Sequence, residues 1–164
     1  MMDKSISGWK IQDREFSVEE LSLIAVAVAM DKKASRPIVI DLKPQGAFTE
    51  YFSIVSASNS RQVRAIAEEI RIFFKRAFGI SPVAADGFET CSWILLDYGS
   101  FFIHVFQEPT RELYRLENLW SKGRFLDVRE DLALALMNEV KGLMPAESSF
   151  VGLVSQEEIE PQYS

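Results

Sequence analysis

Two bulky runs separated by two small residues dominate this sequence. Ser92-Trp93-Ile94-Leu95-Leu96-Asp97-Tyr98 is followed by Gly99-Ser100 and then by Phe101-Phe102-Ile103-His104-Val105-Phe106. Apolar, aromatic-rich runs joined through a glycine turn fold as an antiparallel hairpin. Successive strand side chains point to opposite faces. Trp93 and Leu95 therefore share a face with Asp97, while Ile94 and Leu96 share the other with Tyr98. In the partner strand, Phe101, Ile103 and Val105 oppose Phe102, His104 and Phe106. Every face is apolar, which leaves two arrangements. Either helices cover the ribbon on both sides, or one aromatic face is left for a partner.

The flanking segments supply a sheet and its helices. Ser17-Val18-Glu19-Glu20 reads as a capping box opening a helix, with Leu21, Ile24, Ala25, Val28 and Ala29 as one buried stripe. Ser35-Arg36-Pro37 is expected to end that helical region. Residues 38–42 and 51–57 read as strands around a turn at Lys43-Pro44-Gln45-Gly46. Ser58-Asn59-Ser60 offers caps for a second helix, whose Val63, Ile66, Ala67, Ile70, Phe73, Phe74 and Ala77 form a wide apolar face. Gly79 is placed to close it in the left-handed conformation. Pro109 suits the first turn of a third helix, expected to carry Leu113, Leu116 and Trp120 inward. A fourth helix starts near Asp127-Val128-Arg129-Glu130, with Leu132, Leu136, Val140 and Leu143 as its stripe. The expected fold class is α/β in the α+β sense, a mixed sheet of four to five strands flanked by helices. The expected division is an N-terminal extension (1–16), a main domain (17–120), a C-terminal helical extension (121–144) and an acidic tail (145–164), which reads as largely unstructured although residues 150–154 could dock.

Composition then removes whole classes of chemistry. A single Cys91 excludes a disulfide framework or a multi-cysteine zinc site, and a single His104 excludes the usual zinc-hydrolase ligand sets. The formal charge is −6, of which Glu147, Glu157, Glu158 and Glu160 contribute −4. The remaining 144 residues are nearly neutral, which does not resemble the clustered positive charge of a generic duplex-binding protein. The longest apolar run, residues 21–30, is far short of the roughly 20 residues that span a bilayer. No membrane span and no signal peptide are expected, and the default reading is a soluble cytoplasmic protein. No phosphate loop occurs, and acidic pairs spaced by one residue fall only at Asp13/Glu15 and Glu158/Glu160, outside any core strand. No catalytic residue, metal site or cofactor is therefore expected. His104 has Asp41 or Asp97 as its natural acid–base partner, or it is simply a packed, hydrogen-bonded histidine. Ser56, Ser58 and Ser60 read better as caps than as a nucleophile loop. Cys91, beside Glu89, does not read as a reactive thiol.

Several ordered segments together resemble a known family. Tyr51-Phe52-Ser53-Ile54 before Arg61-Gln62-Val63, Asp86-Gly87 before Trp93-Ile94-Leu95-Leu96-Asp97-Tyr98-Gly99, His104-Val105-Phe106, and the stretch from Arg111-Glu112-Leu113-Tyr114-Arg115 through Leu116-Glu117-Asn118-Leu119-Trp120 carry the likeness. This set is similar to the bacterial ribosomal silencing factor family, also called RsfS or Iojap. The resemblance implies a nucleotidyltransferase-like fold without the catalytic site and a protein without enzymatic activity. It further implies binding to the large ribosomal subunit through ribosomal protein fourteen, which blocks subunit joining and lowers translation when nutrients run short. The partner-binding set it implies is Trp93, Leu95, Asp97, Tyr98, His104, Tyr114, Leu116 and Trp120. Glu50 and Ala57 depart from the family pattern, where Asp and Gly are usual. Two other readings stay open: a nucleotidyltransferase-like enzyme or nucleotide-binding protein using Asp41, Asp97 and His104, and a homodimer paired through the aromatic face.

Overall fold

The structure, a computed structural model, describes residues 9–144. The acidic tail, with residues 150–154, lies outside the described residues. Strands β1 (Trp9–Ile11) and β2 (Arg14–Phe16) pair as a small antiparallel hairpin. Helix α1 (Val18–Asp31) follows. Its capping box is present, with the Glu20 amide donating to Ser17 Oγ at 3.1 Å and the Ser17 amide donating to the Glu20 carboxylate at 2.9 Å. Then come β3 (Ser35–Asp41), a 3-10 turn (Lys43–Gln45), β4 (Tyr51–Ala57), α2 (Ser60–Phe78), β5 (Ala84–Asp86), β6 (Trp93–Asp97) and β7 (Phe101–Gln107). The chain continues through α3 (Glu108–Tyr114), α4 (Leu116–Leu119), β8 (Arg124–Phe125) and α5 (Glu130–Leu143). Asn59 caps α2, and Gly79 ends it at φ +71°.

The main sheet has six strands in the order β5-β6-β7-β4-β3-β8. Only β4 and β7 run parallel, and the β6–β7 pair is the expected hairpin. The count exceeds the expected four to five because β5 and β8 are three and two residues long. Segments that short show no alternation in the sequence. Ser35-Arg36-Pro37 opens β3 instead of ending a helix, which stops at Asp31. Pro37 is tolerated there because the pairing shifts register between Ser35 and Ile38.

One face of the sheet is fully roofed. Tyr51, Ser53, Val55, Ile94, Leu96, Phe101, Ile103 and Val105 are all buried, at 0–3% exposure, beneath α1 and α2. Helix α1 is buried almost all round, from Ile24 through Ala29, and not along a single stripe, because α5 packs over its outer side. The buried residues of α5 are Ala133, Met137 and Val140, whereas Leu132 is 56% exposed. The small Ala133 and flexible Met137 let the two helices approach. Leu113, expected inward, is 74% exposed. The reason is that Arg111 takes the inward position of α3, which ends after seven residues where Arg115 takes the left-handed conformation at φ +50°.

Gly87 fixes the approach of β5 to β6. It sits at φ +97°, and a Cβ added there would collide with the Trp93 carbonyl oxygen. Gly87→Ala is therefore expected to cost about 1–3 kcal/mol through backbone strain. Thermal unfolding checks the loss, and a midpoint equal to wild type would mean that the turn relaxes freely.

Candidate docking face

The second face of the sheet carries no long helix. Alternation brings Ile40 of β3, Phe52 and Ile54 of β4, Phe102, His104 and Phe106 of β7, and Trp93, Leu95 and Asp97 of β6 to it. Ile40, Phe52, Ile54 and Phe106 are buried beneath Leu42, Ala47, Leu116 and Trp120. Toward β6 the cover runs out. Trp93, Leu95, Asp97 and Phe102 are half-buried; exposed Phe48 lies 5.1 Å from Phe102 and exposed Tyr114 5.2 Å from Trp93, while Leu113 and Leu119 of the two short helices that follow are 74% and 73% exposed. The two arrangements left open by the hairpin are thereby decided: one side is roofed by helices, and the other is an aromatic face only partly covered.

Each predicted residue finds a definite place. Trp93 stacks on Phe106 with ring centroids 4.6 Å apart and lies 5.2 Å from Tyr114. Its indole N–H donates to His104 Nδ1 at 3.1 Å. His104 is 3% exposed, with its ring 4.5 Å from that of Phe52, and its Nε2 has no protein partner among the described residues. Burial lowers its pKa to about 3, so the imidazole is neutral. Because Nδ1 accepts the indole proton, the imidazole proton resides on Nε2. Trp120 lies 5.7 Å from Phe52 and 6.1 Å from Phe48, and Leu116 packs into the same cluster. The Asp97 carboxylate accepts from the Gly99 amide at 2.8 Å and so closes the hairpin turn. Tyr98 does not join this face. It is 8% exposed on the helical side, stacked on Phe101 at 5.0 Å and set edge-on to Phe74 at 5.3 Å.

Three contributors escaped the sequence reading. Phe48 sits in the loop before β4, 5.1 Å from Phe102, with no periodic pattern to mark it. Leu119 is 73% exposed on α4. Arg111 is only 1% exposed and is the inward residue of α3. Its Nη1 donates to the Arg36 carbonyl at 2.6 Å and to Ser56 Oγ at 2.8 Å, and its Nε donates to Glu117 at 3.3 Å. Ser56 is thus a buried acceptor, while Asn59 provides the helix cap.

The residues of the enzymatic reading are not brought together. Asp41 alternates onto the helical side of β3 and binds Arg124 at 3.0 Å and the Lys43 amide at 2.9 Å. Burial alone would raise its pKa, but the Lys43 amide and the Arg124 guanidinium more than offset this and hold the carboxyl below its usual range. His104 faces the opposite side and binds Trp93, while Asp97 is occupied by its own turn. Among the described residues, no group of three or more His, Cys, Asp or Glu is placed to hold a metal ion. Cys91 is buried and donates to the Phe88 carbonyl at 3.2 Å. Among the described residues, no helix is long and apolar enough to cross a membrane.

Comparison with known proteins agrees with this architecture. The family model "Ribosomal silencing factor during starvation" matches residues 15–147, which includes α5. The ribosomal silencing factor RsfS of Halalkalibacterium halodurans is 34% identical over 104 residues, 63% of this chain and 88% of that protein. The mouse protein named mitochondrial assembly of ribosomal large subunit protein 1 is 29% identical over 133 residues, covering 74% of this chain and 58% of its own length. A crystal structure of a Chromobacterium violaceum protein superposes with a TM-score of 0.61 at 27% identity, covering 65% of this chain and 88% of that one. With four-fifths of its length matched to the family model and a solved relative superposing over 65% of it, the chain belongs to the ribosomal silencing factor family.

Proposed function

We propose that this protein silences ribosomes by docking its aromatic sheet face on the large subunit, at ribosomal protein fourteen, and obstructing the joining of the small subunit. The observation that carries the reading is the asymmetry of the sheet: helices roof one side, while on the other Trp93, Leu95 and Phe102 stay half-buried beside exposed Phe48 and Tyr114. Exposed apolar area of this kind marks an interaction surface. The bacterial relative is named for ribosomal silencing, and the mouse one for assembly of the mitochondrial ribosomal large subunit, which supports a ribosomal partner. Repression under nutrient limitation follows from the family resemblance, and competition for a surface needs no reacting group. An interface of about 800 Å² on each partner is enough to occupy a subunit bridge.

Trp93 is the natural anchor, since large aromatic residues at the centre of an interface carry most of its energy. Trp93→Ala is expected to weaken binding by about 30-fold or more, corresponding to a hot spot of about 2 kcal/mol. Phe48→Asp, exposed beside Phe102, should weaken binding without removing a buried side chain. Cosedimentation with separated ribosomal subunits reads both effects. Undiminished cosedimentation of the two variants would remove this face from the interface.

A further inference from the structure

We propose that Arg111 and Glu117 are positioning residues that set the α3–α4 elbow in the orientation docking requires. The inference rests on the docking reading above and adds to it the device that aims the exposed side chains of the elbow. Little that is local holds this elbow in shape beyond its own turns and an exposed Arg115 side chain, whose Nε donates to the Glu112 carbonyl at 3.2 Å. Helix α3 has seven residues and α4 only four, and neither has a side-chain hydrogen bond at its N-cap. Helices so short are not stable by themselves. The residue between them, Arg115, is a non-glycine residue in the left-handed region, which disfavours the turn further.

What holds the elbow is tertiary. Arg111 reaches from α3 to the Arg36 carbonyl of β3, to Ser56 Oγ of β4 and to Glu117 of α4, so one guanidinium ties four elements. Outside it, Glu108 and Glu112 bind Arg36 at 2.9 and 2.7 Å and clamp α3 to the start of β3. With Arg111 held inward, Leu113 and Tyr114 are turned outward. With Glu117 drawn toward Arg111, Leu116 and Trp120 lie on the aromatic cluster and Leu119 faces away from it. The same two anchors therefore determine which apolar side chains a partner meets.

Stability alone does not account for the choice of residues. A buried ion pair contributes little net free energy compared with well-packed apolar groups, because both charges must be stripped of water. Here the pair is also incompletely satisfied: Arg111 Nη2 and Glu117 Oε1 are buried without a protein partner among the described residues. A planar, multidentate donor does fix direction, which apolar packing does not.

The test uses the full chain and purified large subunits. Arg111→Met combined with Glu117→Leu removes both charges, leaves no orphaned ion and keeps the bulk. It is expected to unfold cooperatively near the wild-type midpoint yet bind about tenfold more weakly, as when only about one molecule in ten holds a competent elbow. Its near-ultraviolet circular dichroism should change through Trp93 and Trp120. Binding within about twofold of wild type by this variant, while Trp93→Ala still loses binding, overturns the positioning role and leaves the docking reading intact. Loss of binding by neither variant overturns both. Should the double variant not fold, hydrogen exchange on Glu117→Gln decides. Lost protection confined to residues 112–120 supports the inference; unchanged protection, or loss extending into β4 and β7, overturns it.

Discussion

Tyr98→Asp is expected to unfold the protein, although Tyr98 stands one residue beyond β6, a strand of the proposed docking face. The phenol ring lies between Phe101, stacked on it at 5.0 Å, and Phe74, and it is only 8% exposed. Aspartate there would forfeit the ring contacts, open a cavity and place a carboxylate among Phe74, Phe101 and α2. Truncating a buried aromatic costs about 3–5 kcal/mol, and an unpaired buried charge adds to that. The total is comparable to the whole stability of a domain of this size, about 5–15 kcal/mol. Circular dichroism and thermal unfolding of Tyr98→Asp beside Trp93→Ala give the decisive contrast. The first should lack a cooperative transition, and the second should keep one. A folded Tyr98→Asp variant would place that ring outside the core.

That contrast also shows how much of this molecule is legible in its sequence. Features specified by neighbours along the chain emerge directly: the Ser17–Glu20 box, the Asn59 cap, Gly79 and the β6–β7 hairpin each depend on residues a few positions apart. The open face is different. Each strand of the hairpin is apolar on both sides, so alternation divides the residues into two sets without saying which set meets the helices. That is decided by where α1, α2 and α5 pack, which is a contact between distant segments. Tyr98 is instructive, because parity groups it with Ile94 and Leu96, both fully buried, and away from Trp93. Its place is therefore contained in the alternation, whereas the family resemblance groups it with the partner-binding residues. Arg111 is the opposite case. A cation within a polar-looking segment reads as solvated until Arg36, Ser56 and Glu117 converge on it from three other elements.

Acidification should destabilise the protein well before its carboxylates are protonated, and His104 is the cause. It is the only histidine in the chain, and burial lowers its pKa to about 3 from an ordinary 6.5. The unfolded chain therefore takes up a proton at pH values where the folded one does not. Stability from this residue is complete above about pH 6.5 and falls as pH drops below it, levelling off only near pH 3. At about 1.4 kcal/mol per pH unit, the loss by pH 5 is about 2 kcal/mol, and the full span is on the order of 5 kcal/mol. The carboxyls of Asp41, Glu112 and Glu139, also held below their usual range, contribute only at lower pH, because their reference values are 3.8 and 4.5. The interval from pH 6.5 to 5 thus isolates the histidine. His104→Gln, which keeps an acceptor for the Trp93 indole but cannot titrate there, should abolish the slope of denaturant-derived stability over that interval. An equal slope in both proteins would show that His104 is hydrated in the folded state. Protonation would also put a hydrogen on Nδ1, the atom that accepts from Trp93 at 3.1 Å, so Trp93, the proposed docking anchor, loses this support as the imidazole gains its charge.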